Sequence, residues 1–251
     1  MKKFISTILI ILFICVFCYS TYNIIKYVMD EKEQESLNDD LTQSAIKITL
    51  VQDEESENVE DDANTEGTNE FSVDFEYLKS QNKDIVAWIY SEGTPINYPV
   101  VQGKDNDYYL RRLINGKYNQ SGTLFIDYKN KGDFSDLNTI IYGHNMKNDS
   151  MFGTIINYKK QEYFDSHKEI DLYTENTNYK IKLYAGLTID GNSNLYNITN
   201  SNKEFIKLKD KSDFKSDVIP NEDDRIVMLS TCSYDYELAR YVLLGVLEEG
   251  L

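Results

Sequence analysis

The chain has 251 residues, 26 basic and 42 acidic side chains, a net charge of −16, and 41% hydrophobic residues. That hydrophobic share supports a core and excludes wholesale disorder, and the length allows one good-sized domain with attachments or two small ones. The acidity argues against a nucleic-acid partner held through phosphates and against a basic lipid-binding patch, and 3 cysteines are too few for a disulfide scaffold.

No charge occurs from Phe4 to Ile25, a run of 22 residues. As a helix it spans about 33 Å, close to the hydrocarbon thickness of a bilayer. A removable signal would have a shorter apolar region and a small-x-small cleavage site. Cys18-Tyr19-Ser20-Thr21-Tyr22 makes a poor one, so residues 1–27 are read as an uncleaved transmembrane anchor. Lys2 and Lys3 precede the run and acids from Asp30 follow it. The positive-inside rule then puts the N-terminus in the cytoplasm and the rest of this single-pass protein outside. Cys15 and Cys18 are read as small apolar residues of the span; no second ligand pair accompanies their C-x-x-C spacing.

Residues 28–70 carry 15 acids between Asp30 and Glu70 against two lysines, and no aromatic residue from Met29 onward. Such a segment buries too little to offset its ordering entropy. It is expected to be a solvated spacer, with a short helix within Leu41 to Val51. As a coil it would reach about 35–40 Å.

Globular texture begins at Phe71 and continues to Leu251, one domain. Phe75, Leu78, Ile85, Trp88 and Ile89 have helical spacing, broken near Asn82 and Asp84, which predicts two short helices. Strands are predicted at Asn97 to Val101, Thr123 to Ile126, Thr139 to Tyr142 and Tyr179 to Tyr184, all rich in β-branched and aromatic residues. A helix is expected within Asn202 to Phe214. The runs Arg225 to Cys232 and Leu238 to Val246 are nearly continuous in apolar residues and predict two buried central strands around a polar turn. Many short strands with few helices predict a mainly β fold, a barrel or sandwich with decorations.

Cys232 is the single cysteine beyond the apolar run. It ends a predicted strand, and Arg240 lies eight residues later on the next. Antiparallel pairing across a short turn would bring the two side chains together. His144 follows the Thr139 to Tyr142 strand through Gly143. A thiolate nucleophile, an imidazole that exchanges its proton and a guanidinium that holds an oxyanion form a chemically complete set. The residues alone leave a second reading open, a buried inert thiol beside an ordinary Gly-His-Asn turn. His167 is expected on a surface turn.

Leu229-Ser230-Thr231-Cys232 with Arg240, and Tyr142-Gly143-His144-Asn145-Met146 followed by Ser150-Met151-Phe152-Gly153, resemble the active-site segments of the sortases. Ile85 to Ile89, Gly93 to Gln102 and Asp105 to Leu110 resemble the opening of class B, as does the insertion at about 197–224. The resemblance covers about residues 71–251, and the anchor fits the family's usual layout. It implies an eight-stranded β-barrel with N-terminal helices and a helix-bearing insertion before the cysteine strand. It also implies an extracytoplasmic cysteine transpeptidase. The substrates would be secreted proteins with a C-terminal sorting signal of LPxTG or NPxTN type, and the acceptor a peptidoglycan-precursor amine. Cys232 would be the nucleophile, His144 the general acid/base and Arg240 the clamp, with Ser230, Asn106 and Leu110 as substrate contacts. No metal-ligand spacing occurs in the sequence, and no metal or cofactor is expected. Two other classes remain: an extracellular cysteine peptidase that releases its substrate to water, and a catalytically silent surface-binding module.

Overall fold

A computed structural model describes residues 2–51, 68–198 and 201–250. Helix α1 runs unbroken from Lys2 to Ala45, 44 residues without a glycine or proline, or about 66 Å. Up to Ile25 its described side chains are all exposed. From Lys26 one stripe turns inward: Tyr27, Gln34, Leu37, Leu41 and Ala45 pack on the domain, with Leu41 and Ala45 fully covered. This corrects the expected spacer over residues 28–45. Glu35, Asp39 and Asp40 there face solvent and Asp30, Glu31 and Glu33 are half-buried, while Tyr and Leu side chains of the same helix find a partner surface, which composition counts cannot register. Most of the rest of the expected spacer lies outside the described residues.

Strand β1 (Ile46–Val51) pairs antiparallel with β2 (Thr68–Val73). Helix α2 (Phe75–Gln81) follows, its first turn capped by Asp74, whose Oδ1 accepts the Tyr77 amide at 2.9 Å. The second expected helix is strand β3 (Ile85–Tyr90). Its sequence, Ile-Val-Ala-Trp-Ile-Tyr, is buried on both faces. In so short an apolar run helical and strand spacings coincide, and two pairing partners decide for the strand.

The remaining strands are β4 (Asn97–Gln102), β5 (Leu124–Ile126), β6 (Asn138–Tyr142), β7 (Glu169–Thr174), β8 (Asn178–Asp190), β9 (Ile226–Cys232) and β10 (Ala239–Glu249). β7 had no counterpart among the expected strands. With β3 they close an eight-stranded barrel in the order β10-β8-β7-β3-β4-β5-β6-β9. β4–β5 and β6–β9 are parallel; the other pairs are antiparallel. Alternate residues, including Ala87, Val100, Ile126, Ile141, Leu172, Ile181, Leu229 and Leu243, fill the interior. Helix α3 (Gln161–Ser166) lies before β7. Residues 191–198 and 201–225, with helix α4 (Lys203–Lys207), cover the outer face of β6, β8, β9 and β10 through Leu195, Phe205 and Leu208.

Candidate active site

Three neighbouring strands of the barrel wall build the site. On β9, Val227 and Leu229 point into the barrel, so Met228, Ser230 and Cys232 point outward. On β10 the interior residues are Tyr241 and Leu243, which places Arg240 and Val242 outside. On β6 the interior residue is Ile141, so Ile140 and Tyr142 are outside, and the chain leaves the strand through Gly143 to His144. The two-residue period thus carries Cys232, His144 and Arg240 onto one face at one end.

Register fixes their order. Arg240 is paired directly with Cys232 across β9–β10. On the other side, Tyr142 pairs with Ser230 across β6–β9. The ladder continues past β6: the Gly143 amide donates to the Ser230 carbonyl at 3.0 Å and Thr231 Oγ1 donates to the Gly143 carbonyl at 2.7 Å. Asn145 Nδ2 donates to the Cys232 carbonyl at 2.8 Å. Cys232 therefore lies between the His144 segment and Arg240. Gly143 is demanded by space: a Cβ there would stand 2.4 Å from Leu124 Cδ2 and 2.5 Å from Phe152 Cδ2.

Nε2 of His144 lies 2.6 Å from the Leu110 carbonyl, which can only accept, so Nε2 carries a proton. Nδ1 is left as the nitrogen free to exchange one. Burial lowers the imidazole pKa from its ordinary 6.5; the Leu110 hydrogen bond opposes this and the nearby Arg111 charge adds to it. Arg240 is half-buried, drapes over Gly191, and donates from Nη1 to the Ala239 carbonyl at 3.1 Å. Among the described residues no carboxylate forms an ion pair with it. Its guanidinium is free for an incoming oxygen.

All six residues singled out from the sequence line one open cleft, together with Phe125, Tyr142, Tyr196 and Thr231. Ser230 is buried and shares a 2.8 Å hydrogen bond with the Tyr196 hydroxyl. Asn106 donates from Nδ2 to Asp127 at 2.8 Å and accepts the Tyr128 amide at 3.0 Å. Tyr142 donates to the same Asp127 at 2.9 Å. Burial, then Asp127, push the Tyr142 pKa up, so its hydroxyl stays a donor. Tyr142 and Tyr196 stack with centroids 6.1 Å apart. Sequence reading missed Tyr196, Tyr142 and Asp127. Tyr142 ends one recognised strand and Asp127 follows another, but Tyr196 lies in an insertion with no periodic signal. His167 is not on an open surface turn: it caps α3 half-buried, with Nδ1–H donating to the Tyr163 carbonyl at 2.9 Å. Cys15 and Cys18 are exposed on the apolar part of α1. Among the described residues, no three His, Cys, Asp or Glu side chains converge as a metal site would require.

A sortase-domain family model matches residues 89–248. The chain belongs to the class B sortases. It is 32% identical to sortase B of Listeria monocytogenes serovar 1/2a (strain ATCC BAA-679 / EGD-e), over 98% of both chains. It is 30% identical to sortase B of Staphylococcus aureus (strain NCTC 8325 / PS 47), over 94% of this chain and 92% of that one. The structure of B. anthracis sortase B in complex with AAEK1 superposes with a TM-score of 0.70 at 32% identity, covering 89% of this chain and 100% of that one. Clostridium perfringens sortase B superposes with a TM-score of 0.63 at 37% identity, covering 69% and 99%. This sortase is therefore a cysteine transpeptidase on the eight-stranded barrel that its family implies, and its N-terminal helix is long and apolar enough to cross a membrane.

Proposed function

We propose that this sortase cleaves a C-terminal sorting signal of LPxTG or NPxTN type after Thr and joins the new carboxyl end to a cell-wall amine. The observation that carries the reading is the register of Arg240 against Cys232, with His144 on the other flank of the same strand end. Cys232 Sγ bonds to the Thr carbonyl carbon while Nδ1 of neutral His144 takes the thiol proton. Arg240 holds the oxyanion of the tetrahedral intermediate. The C–N bond then breaks, and imidazolium His144 gives its proton to the departing amine. A thioester remains. The acceptor amine attacks it, His144 takes the amine's proton, the sulfur leaves, and the proton returns to it. These steps move only protons and an acyl group and call for no metal or redox cofactor. Ser230, Asn106 and Leu110 would contact the signal peptide along the cleft.

Two structures support this reading by analogy: a Staphylococcus aureus sortase B–substrate complex and a sortase B complexed with triglycine. The uncharged run Phe4 to Ile25 would anchor the enzyme with its N-terminus in the cytoplasm and the barrel outside, where secreted substrates present their signals.

The test incubates the full-length protein in detergent with a library of sorting-signal peptides, with and without an oligoglycine amine, and reads the products by mass. Cleavage after Thr and an amine-dependent adduct are expected. They should vanish in Cys232→Ala; undiminished turnover by that variant would refute the assignment. Release to water alone would identify a peptidase.

A further inference from the structure

The point where α1 ceases to be uncharged is also the point where it meets the barrel. Ile25 closes the uncharged run, and Lys26 Nζ lies 5.3 Å from the centre of the Tyr118 ring. Tyr27 packs on the barrel's main core, with Glu31, the Lys147 backbone and Tyr234 in the neighbourhood of its hydroxyl. One turn on, Asn119 Nδ2 donates to the Asp30 carbonyl at 2.7 Å and Lys117 pairs with Glu33 at 2.8 Å. The helix is continuous through this junction and contains no glycine or proline. A span that leaves the hydrocarbon at residue 25 therefore carries the barrel at once to the level of the headgroups.

The surface at that level fits an interface. Tyr118 is 52% exposed and Tyr234 is 81% exposed, each with an apolar ring and a polar tip. Lys26, Lys117 and Lys147 flank them, and the first acid beyond the span is Asp30. Lys117 is shared with Glu33, and Lys26 and Lys147, for which no ion pair occurs among the described residues, suit phosphate headgroups. Tyr234 lies two residues after Cys232. We propose that the face formed by Lys117, Tyr118, Lys147 and Tyr234 lies on the lipid headgroups of the membrane that α1 spans, with the mouth of the Cys232 cleft at the bilayer surface. This rests on the membrane-anchored reading of α1 and adds a second, peripheral contact. A substrate whose tail is still embedded in lipid would then present its signal at the height of the thiol, with no reach required of either partner.

Depth-dependent quenching tests it. Trp88, the one tryptophan of the chain, is fully buried and supplies a constant background. The full-length protein is placed in vesicles of equal parts phosphatidylcholine and phosphatidylglycerol, with acyl chains brominated near the headgroup or near the bilayer centre. Tyr118→Trp and Tyr234→Trp should lose their added emission to the upper bromines. Asn176→Trp should not: it lies in the β7–β8 turn, at the barrel end where Glu249 pairs with Tyr179, ten residues of β8 (about 33 Å) from the Ile189 that pairs with Arg240. Phe13→Trp reports the anchor and should be quenched by the deep bromines. Quenching of Phe13→Trp without quenching at Tyr118→Trp and Tyr234→Trp overturns the docking face and leaves the anchor standing. Absence of quenching at Phe13→Trp overturns both. Equal quenching at Asn176→Trp overturns the proposed orientation.

Discussion

The Leu110 carbonyl holds Nε2–H of His144 at 2.6 Å, so the helical turn Tyr109–Arg111, packed beside β5, selects the imidazole nitrogen that remains free. Burial favours the neutral form of this ring. Its folded pKa lies below the ordinary 6.5, so between those two values the unfolded chain binds a proton that the folded chain does not. Stability from this group is present above 6.5 and falls as pH drops through that window. Denaturation midpoints should show it, and His144→Gln should remove that part of the slope. A His144 imidazole signal titrating above 6.5 by NMR would contradict the assignment.

Arg240→Lys keeps the charge at the position opposite Cys232 but replaces a planar fork by a point donor. Turnover should fall by on the order of 100-fold, the usual loss of an oxyanion donor, with thermal stability little changed. Steady-state kinetics on a cleaved signal peptide check this; wild-type kcat/KM would end the clamp role.

Tyr196→Phe removes the partner of the buried Ser230 hydroxyl. An orphaned buried hydroxyl costs about 1–3 kcal/mol. Chemical denaturation should register that loss, and the double change with Ser230→Ala should recover part of it. Simple additivity of the two would show that the pair is not coupled.

Gly143→Ala puts a methyl group into Leu124 and Phe152. Overpacking of this kind costs about 1–3 kcal/mol. Because His144 is the next residue, activity should fall further than stability predicts. Full turnover in a folded Gly143→Ala protein would mean that His144 does not depend on this close approach.

Leu41→Ala tests the docked helix. Leu41 is 3% exposed, and truncating such a side chain costs about 2–5 kcal/mol. Amide exchange across residues 30–45 should accelerate in the variant by at least about tenfold. Immediate exchange of those amides in the unmodified protein would restore the solvated spacer.

The sequence carried the site better than it carried the scaffold. Ser230, Cys232, Arg240 and His144 lie on or next to strands whose apolar runs are unambiguous, and the spacing across one short turn sufficed to place Cys232 opposite Arg240. Ile85 to Tyr90 was misread because its apolar residues satisfy two periods at once, and only β4 and β7 on its flanks choose between them. The docking of residues 28–45 is not legible from charge, because half-buried Leu37 and buried Leu41 are interleaved with the acids along one helix. Tyr196 was invisible because its position depends on how the 191–225 insertion folds over β9, which no local pattern encodes.

β6 and β9 run parallel, and His144 and Cys232 are 88 positions apart along the chain. Parallel neighbours cannot be joined by a tight turn, so this pairing closes a long loop and costs more chain entropy than a hairpin. Arg240 reaches Cys232 through a local hairpin, but the imidazole reaches it only in the finished wall. A chain in which β6 and β9 have not yet paired keeps Arg240 opposite Cys232 but lacks the His144 segment on the other side. The two flanks of Cys232 thus depend on pairings of very different range along the chain, one local and one distant.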